Sequence, residues 1–177
     1  MTFTTRYDSP IGALLLAGNE RALTGLWIEG AQYFAATLPQ DAQEGVSPPL
    51  RDAAQWLDDY FAARRPSPGD LALEIAGSAF RSCVCRLLME IPYGATTTYG
   101  TLAGEAARRM GRARMSAQAV GGAVGHNPIS IVIPCHRVLG ADGSLTGYAG
   151  GVERKRFLLR HEGARVPALY NSRQDAL

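Results

Sequence analysis

A cysteine and a histidine stand side by side in Ile131-Val132-Ile133-Pro134-Cys135-His136-Arg137. A thiol attacks carbon only as its thiolate. An unperturbed cysteine titrates near about 8.5, and a neighbouring histidine or helix N-terminus can bring it to neutrality or below. Pro134 fixes φ and removes a backbone donor, which predicts a turn at Cys135. Adjacent side chains in a strand point to opposite faces, so Cys135 and His136 can cooperate only in a turn or through a bridging water. A histidine base needs an acceptor to orient it. Glu162 is a candidate, because a carboxylate at a helix C-terminus opposes the macrodipole and needs some other reason to be there. Asn127 precedes Pro128 and is therefore extended; it either fixes the Cys135 turn or simply begins an Asn-Pro turn. Tyr99, in the first turn of a predicted helix, is either a core aromatic or a donor to a phosphate or a base. An inert buried thiol and a core histidine are the plain alternatives for Cys135 and His136.

A second stretch, Gln118-Ala119-Val120-Gly121-Gly122-Ala123, has almost no side-chain bulk. Two helical glycines each cost about 1 kcal/mol relative to alanine. Either another helix packs closely there, or something large approaches the backbone from outside. Four arginines just upstream (Arg108, Arg109, Arg112, Arg114) favour a DNA groove wall, whose phosphates can bond helix N-terminal amides. Small apolar residues suit the minor groove and little sequence specificity.

The elements that must hold these residues fall into two parts. Residues 3–8, 13–17 and 22–28 are short apolar runs separated by turn residues, a predicted meander of antiparallel strands. A short helix is predicted over 31–38, a loop over 39–49, a helix over 50–63 and a further strand over 71–75. The second part has predicted helices over 80–91, 98–107 (Thr97 or Thr98 as N-cap), 117–125 (Ser116 as N-cap) and 151–161. A buried strand is predicted over 131–133 and a glycine-rich hairpin or loop over 140–151. Helix, connector, small-residue helix, then strands is the order of a helix-turn-helix with a wing. The domains so read are 1–75, 76–165 and a loose tail over 166–177.

The whole chain of 177 residues carries a net charge of +2. That average hides an asymmetry: residues 1–75 hold 5 basic and 10 acidic side chains, and residues 76–165 hold 12 and 5. Only the second part is suited to a polyanion. A hydrophobic share of 46% supports a packed core. No apolar run reaches a membrane-spanning length and the N-terminus has no signal-peptide pattern, so the reading is a cytoplasmic protein. Three cysteines, two of them Cys83 and Cys85, make neither a disulfide framework nor, with the histidines, a metal site.

Residues 80–163 resemble the O6-alkylguanine-DNA alkyltransferases, also called methylated-DNA–protein-cysteine methyltransferases. The motifs are Ile91-Pro92-Tyr93-Gly94, Thr98-Tyr99-Gly100-Thr101-Leu102-Ala103, Ala119-Val120-Gly121-Gly122-Ala123, Asn127-Pro128-Ile129, Pro134-Cys135-His136-Arg137-Val138 and Gly147-Tyr148-Ala149-Gly150-Gly151. Residues 1–75 match only loosely. The resemblance implies an α/β N-terminal domain with a ribonuclease-H-like sheet and a mainly helical C-terminal domain with a winged helix-turn-helix. It implies that Cys135 accepts the alkyl group, that His136 takes its proton through a water, and that Glu162 orients His136. Tyr99 would protonate the leaving guanine and Asn127 support the turn. Gln118, Ala119, Gly121, Gly122 and Arg137 would meet DNA or substrate, Val138 would hold the guanine edge, and Tyr148, Ala149 and Gly150 would close over it. Base flipping is also what the chemistry demands, since O6 is out of reach inside a stack. The implied partner is double-stranded DNA carrying O6-alkylguanine. The implied protein is a monomer with no cofactor, because the damaged base is itself the donor.

The sequence departs from the family pattern in three places. Gln118 stands where arginine is common, Cys85 where tryptophan is common, and Ala149 where some members have serine. A non-enzymatic sister group has tryptophan at the position of Cys135. Cys135 argues against membership of that group; the competing reading is a non-catalytic sensor of alkylated DNA, and a thiol hydrolase lacks an oxyanion-hole motif.

Overall fold

The computed structural model describes residues 1–169. The chain divides into two compact units: Met1–Gly77 with Pro128–Ile133, and Ser78–Asn127 with the chain from Pro134 onward.

In the first unit, β1 (Phe3–Ser9), β2 (Gly12–Gly18) and β3 (Leu23–Ile28) form the antiparallel meander. β4 (Gln43–Glu44), inside the predicted 39–49 loop, adds to β1 in parallel, giving the order β3-β2-β1-β4. Helix α1 (Pro48–Phe61) starts on two prolines, whose missing N–H groups cost nothing in a first turn. It buries Leu50, Ala53, Trp56, Leu57 and Tyr60. The free edge of β3 is closed by two isolated parallel bridges, to Leu73 and to Ile129. An unpaired strand edge would otherwise offer its backbone groups to another chain. The strand predicted over 71–75 is therefore a single bridge. The buried strand predicted over 131–133 does not form either. Ile129 pairs with Leu26, and the chain then turns, with Ile131 at φ +70° and Ile133 N–H bonded to Ile129 O. Residues 31–38 form turns rather than a helix, with Tyr33 and Ala35 at positive φ. Tyr33 and Phe34 are exposed, so no buried stripe stabilises so short a helix.

The second unit holds α2 (Ala79–Met89), α3 (Tyr99–Arg109), α4 (Ala117–Gly125) and α5 (Val152–His161). Ser78, Thr98 and Ser116 cap the first three, each accepting the amide three residues on. These helices pack together over Val84, Leu87, Leu88, Leu102, Ala103, Ala106, Val120 and Val124. The strand residues after α4 are β6 (Val138–Leu139), paired in parallel with β5 (Thr97–Thr98) ahead of α3. Residues 140–151 form a loop, with turns at 141–143 and 149–150. Val166 and Leu169 are buried with Leu139, Leu145, Leu159 and Ala164, so the predicted loose tail is packed this far; residues 170–177 of that tail lie outside the described residues. No helix among the described residues is long and apolar enough to cross a membrane.

One turn packs tightly against the end of α5. Gly94 has φ +76°, and a Cβ there would lie 2.8 Å from the Glu162 carbonyl oxygen. Backbone contact and left-handed φ act together, so Gly94→Ala is expected to cost about 2 kcal/mol or more, read as a lower urea midpoint at unchanged m-value.

Candidate active site

Cys135–Arg137 forms one turn of 3-10 helix after Pro134. This is the turn the proline predicts, and it lets adjacent side chains serve one site. Cys135 is 5% exposed and His136 fully buried. Asn127 Nδ2 donates to Cys135 Sγ at 3.1 Å, so Asn127 bonds the sulfur itself. His136 Nε2 lies 2.6 Å from Glu162 Oε1. A carboxylate only accepts, so Nε2 carries the hydrogen and Nδ1 holds the lone pair. Nδ1 is buried with no partner among the described residues.

The electrostatics differ from the expectation of a thiol brought to neutrality. Burial pushes the Cys135 thiol up; the Asn127 hydrogen bond and the Lys155 charge only oppose that rise. Burial likewise pulls His136 below 6.5, against the contrary influence of Glu162. The resting pair is thus a thiol and a neutral imidazole. Burial would raise Glu162, but hydrogen bonds from His136 and Arg137 hold it well below its ordinary 4.5.

Arg137 corrects the sequence reading. It is 5% exposed and faces inward rather than toward a substrate surface. Its Nε donates to Glu162 Oε2 at 2.8 Å, Nη2 to Oε1 at 3.0 Å and Nη1 to Ile91 O at 2.6 Å. A buried guanidinium needs such a fork of acceptors, and a buried carboxylate such donors. Val138 is also buried, and its carbonyl accepts from Lys155 Nζ. Lys155 escaped the sequence reading. The available signal was its spacing: Lys155, Leu158, Leu159 and Glu162 share one face of α5.

Tyr99 is half-buried, and its hydroxyl donates to the carbonyls of Thr146 and Gly147 at 3.4 and 3.3 Å. Burial and the nearby Cys135 push its pKa up to about 12. Tyr148, Ala149 and Gly150 are half-buried, and the Tyr148 hydroxyl is buried and unpartnered among the described residues. Gln118, Ala119 and Gly122 are exposed on α4, while Gly121 lies over the Tyr99 ring. A Cβ at Gly122 would meet nothing within 4 Å, so packing inside the chain does not require that glycine. Arg108 and Arg109 pair with Glu105 and Glu90. Arg112 and Arg114 are exposed. Cys83 and Cys85 are buried and free.

The chain matches two family models: "6-O-methylguanine DNA methyltransferase, ribonuclease-like domain" over residues 3–75, and "6-O-methylguanine DNA methyltransferase, DNA binding domain" over residues 79–164. A methylated-DNA–protein-cysteine methyltransferase of Mycobacterium tuberculosis is 42% identical over 161 residues, 91% of this chain and 92% of its own. One from Methanosarcina barkeri is 45% identical over 156 residues, 88% of this chain and 93% of its own. The crystal structure of the Mycobacterium tuberculosis O6-methylguanine methyltransferase superposes with a TM-score of 0.77 at 41% identity, covering 95% of this chain and 96% of that one. A structure of the Mycobacterium tuberculosis protein in complex with DNA gives 0.75 at 40%, covering 96% of each chain. The chain therefore belongs to the methylated-DNA–protein-cysteine methyltransferase family.

The buried cluster has a measurable pH signature. Glu162 has a lowered pKa in the folded state, so its contribution is present above about 4.5 and is lost as pH falls through the lower folded value. His136 also has a lowered folded pKa; stability falls as pH drops from 6.5 toward that value, because the unfolded chain takes up the proton first. Glu162→Gln is expected to cost about 3–5 kcal/mol near pH 7, since it leaves Arg137 buried without its anion. That difference should shrink under acid as Glu162 itself protonates; urea titrations of parent and variant at several pH values measure both effects.

Proposed function

We propose that this protein repairs O6-alkylguanine in double-stranded DNA by moving the alkyl group irreversibly onto Cys135. The observation that carries the reading is the buried pair of a thiol and a neutral imidazole whose only basic atom, Nδ1, has no partner among the described residues. His136 Nδ1 takes the thiol proton through a bridging water. Glu162 steadies the imidazolium that results, without having to move. The thiolate attacks the carbon on O6, an S–C bond forms, and the C–O bond breaks. Its electron pair enters the purine, which takes a proton at N3 from Tyr99. Asn127 keeps a donor on the sulfur throughout. The thioether is a poor leaving group and nothing in the cycle restores the thiol, so each molecule acts once. The donor is the damaged base, and no cofactor enters.

Support for the DNA side comes from α4. Gly122 is exposed and a Cβ there would meet nothing within 4 Å among the described residues, which favours close approach from outside over helix–helix packing. Arg112 and Arg114 supply charge beside it, whereas Arg108 and Arg109 are engaged by carboxylates. Because Cys135 is buried, a flipped guanine enters only when the 147–151 segment moves; Gly147 and Gly151, both at positive φ, bracket Tyr148-Ala149-Gly150. Gln118 occupies the space left in the duplex and bonds the orphaned cytosine without adding charge.

Incubation with duplex carrying O6-methylguanine should add one methyl group, about 14 Da, to Cys135 alone and stop at one equivalent. Cys135→Ser should bind the duplex without gaining mass. Binding by the parent without mass gain would instead mark a sensor of alkylated DNA. DNA affinity should fall steeply with added salt, as arginine–phosphate contacts release counterions; salt-independent binding would remove the basic unit as the interface.

A further inference from the structure

Lys155 is the chain's sole lysine, and it is wholly buried. A buried ammonium is expensive unless an anion or good acceptors meet it. Among the described residues no carboxylate pairs with it. Its Nζ donates to two backbone carbonyls, Val138 of β6 and, at 3.4 Å, Thr146. Val138 lies three residues past Cys135 and Thr146 two before Tyr148, so this side chain ties α5 to both segments that flank the sulfur. It also stands 6.0 Å from the centre of the Tyr148 ring. These contacts hold the ammonium in place but supply no counter-charge.

The groups acting on the Cys135 sulfur come from every side. Cys85 of α2, Tyr99 of α3 and Tyr148 of the 147–151 segment are all kept neutral by burial. Asn127 is neutral, and so is the resting His136. Arg137 and Glu162 offset one another. The Cys135 and His136 amides also favour the sulfur anion, while Arg154 acts on Tyr148 and Arg81 and Arg86 act on Cys85; among the described residues the side-chain cation acting directly on the sulfur is Lys155. We propose that Lys155 is a positioning and charge-compensating residue for alkyl transfer: the fixed ammonium that makes a buried Cys135 thiolate affordable. The inference deepens the alkyltransferase reading and rests on it. Lys155 keeps its proton throughout. Its charge favours the Cys135 thiolate, works against the His136 imidazolium, and is matched only while the sulfur is anionic. Alkylation turns the sulfur into a neutral thioether and leaves the ammonium without its anion. The electrostatics agree in direction: burial brings Lys155 down to about 8 while the Cys135 charge works the other way, and Lys155 in turn opposes the upward push of burial on the thiol.

The test uses iodoacetamide, a small electrophile, on the full chain without DNA, with Cys135 modification followed by peptide mass spectrometry against pH. Lys155→Met keeps the length and apolar stem but removes the charge. Its half-reaction pH should rise by about one unit, a tenfold loss of thiolate at fixed pH, while Lys155→Arg stays near the parent. A Lys155→Met protein that melts cooperatively with an unmoved profile would overturn the proposal. The unsubstituted protein gives a second reading, because coupling between two charges is reciprocal. Acetic anhydride acylates a single lysine here. The pH at which Lys155 becomes reactive should fall once Cys135 carries a carboxamidomethyl group, and an unchanged value would contradict the coupling. Neither arm uses O6-methylguanine, so failure of repair and failure of this charge pair are read separately.

Discussion

One carboxylate organises the second unit. Glu162 takes a hydrogen bond from His136 and a two-pronged one from Arg137, all out of contact with water. A lone buried carboxylate would protonate or unfold its surroundings; here two donor groups satisfy both oxygens, and the desolvation cost is met by short, charge-assisted bonds. The Gly94 amide adds a bond to Oε2 at 3.2 Å, and Arg137 reaches on to Ile91 O, so the turn after α2, the active-site turn and the end of α5 are joined at one point. Position at the C-terminus of α5 would by itself disfavour the anion. Arg137 removes that penalty.

The chemistry follows from this arrangement. Because Glu162 holds the proton of His136 on Nε2, the base is Nδ1 and the ring cannot turn. Because the site is buried, neither the thiol nor the imidazole is charged at rest, and charge appears only when the proton moves between them. A protein used once gains from such a resting state: an ionised sulfur would meet every passing electrophile, whereas a buried thiol is activated only when the site is assembled around its substrate. The same burial strengthens each dipole aimed at the sulfur, the Asn127 amide above all.

Local signals in the sequence carried well into three dimensions. Thr98 and Ser116 are helix caps whose effect spans three residues, and α3 and α4 begin where they stand. The turn at Cys135 follows from Pro134, and the meander from its turn residues. What escaped depends on partners distant in the chain. Nothing near Arg137 announces that Glu162, 25 residues on, will bury it; an arginine in the basic part of the chain reads as a contact for a polyanion. Ile131-Val132-Ile133 has the composition of a strand, yet the one bridge available, Ile129 with Leu26, leaves it to turn. Residues 31–38 have helical composition and no face to bury. Lys155 hid in a run of charges, Glu153-Arg154-Lys155-Arg156, where only its register with Leu158, Leu159 and Glu162 marks it as internal.

The central claim is the protonation state of His136 beside the sulfur. Nitrogen-15 NMR of the three histidines, with His136 assigned by substitution, measures it directly. The expected result is a neutral ring near pH 7, protonated on Nε2, with Nδ1 carrying the lone pair. A doubly protonated imidazolium in the resting protein, paired with a standing thiolate, would contradict it.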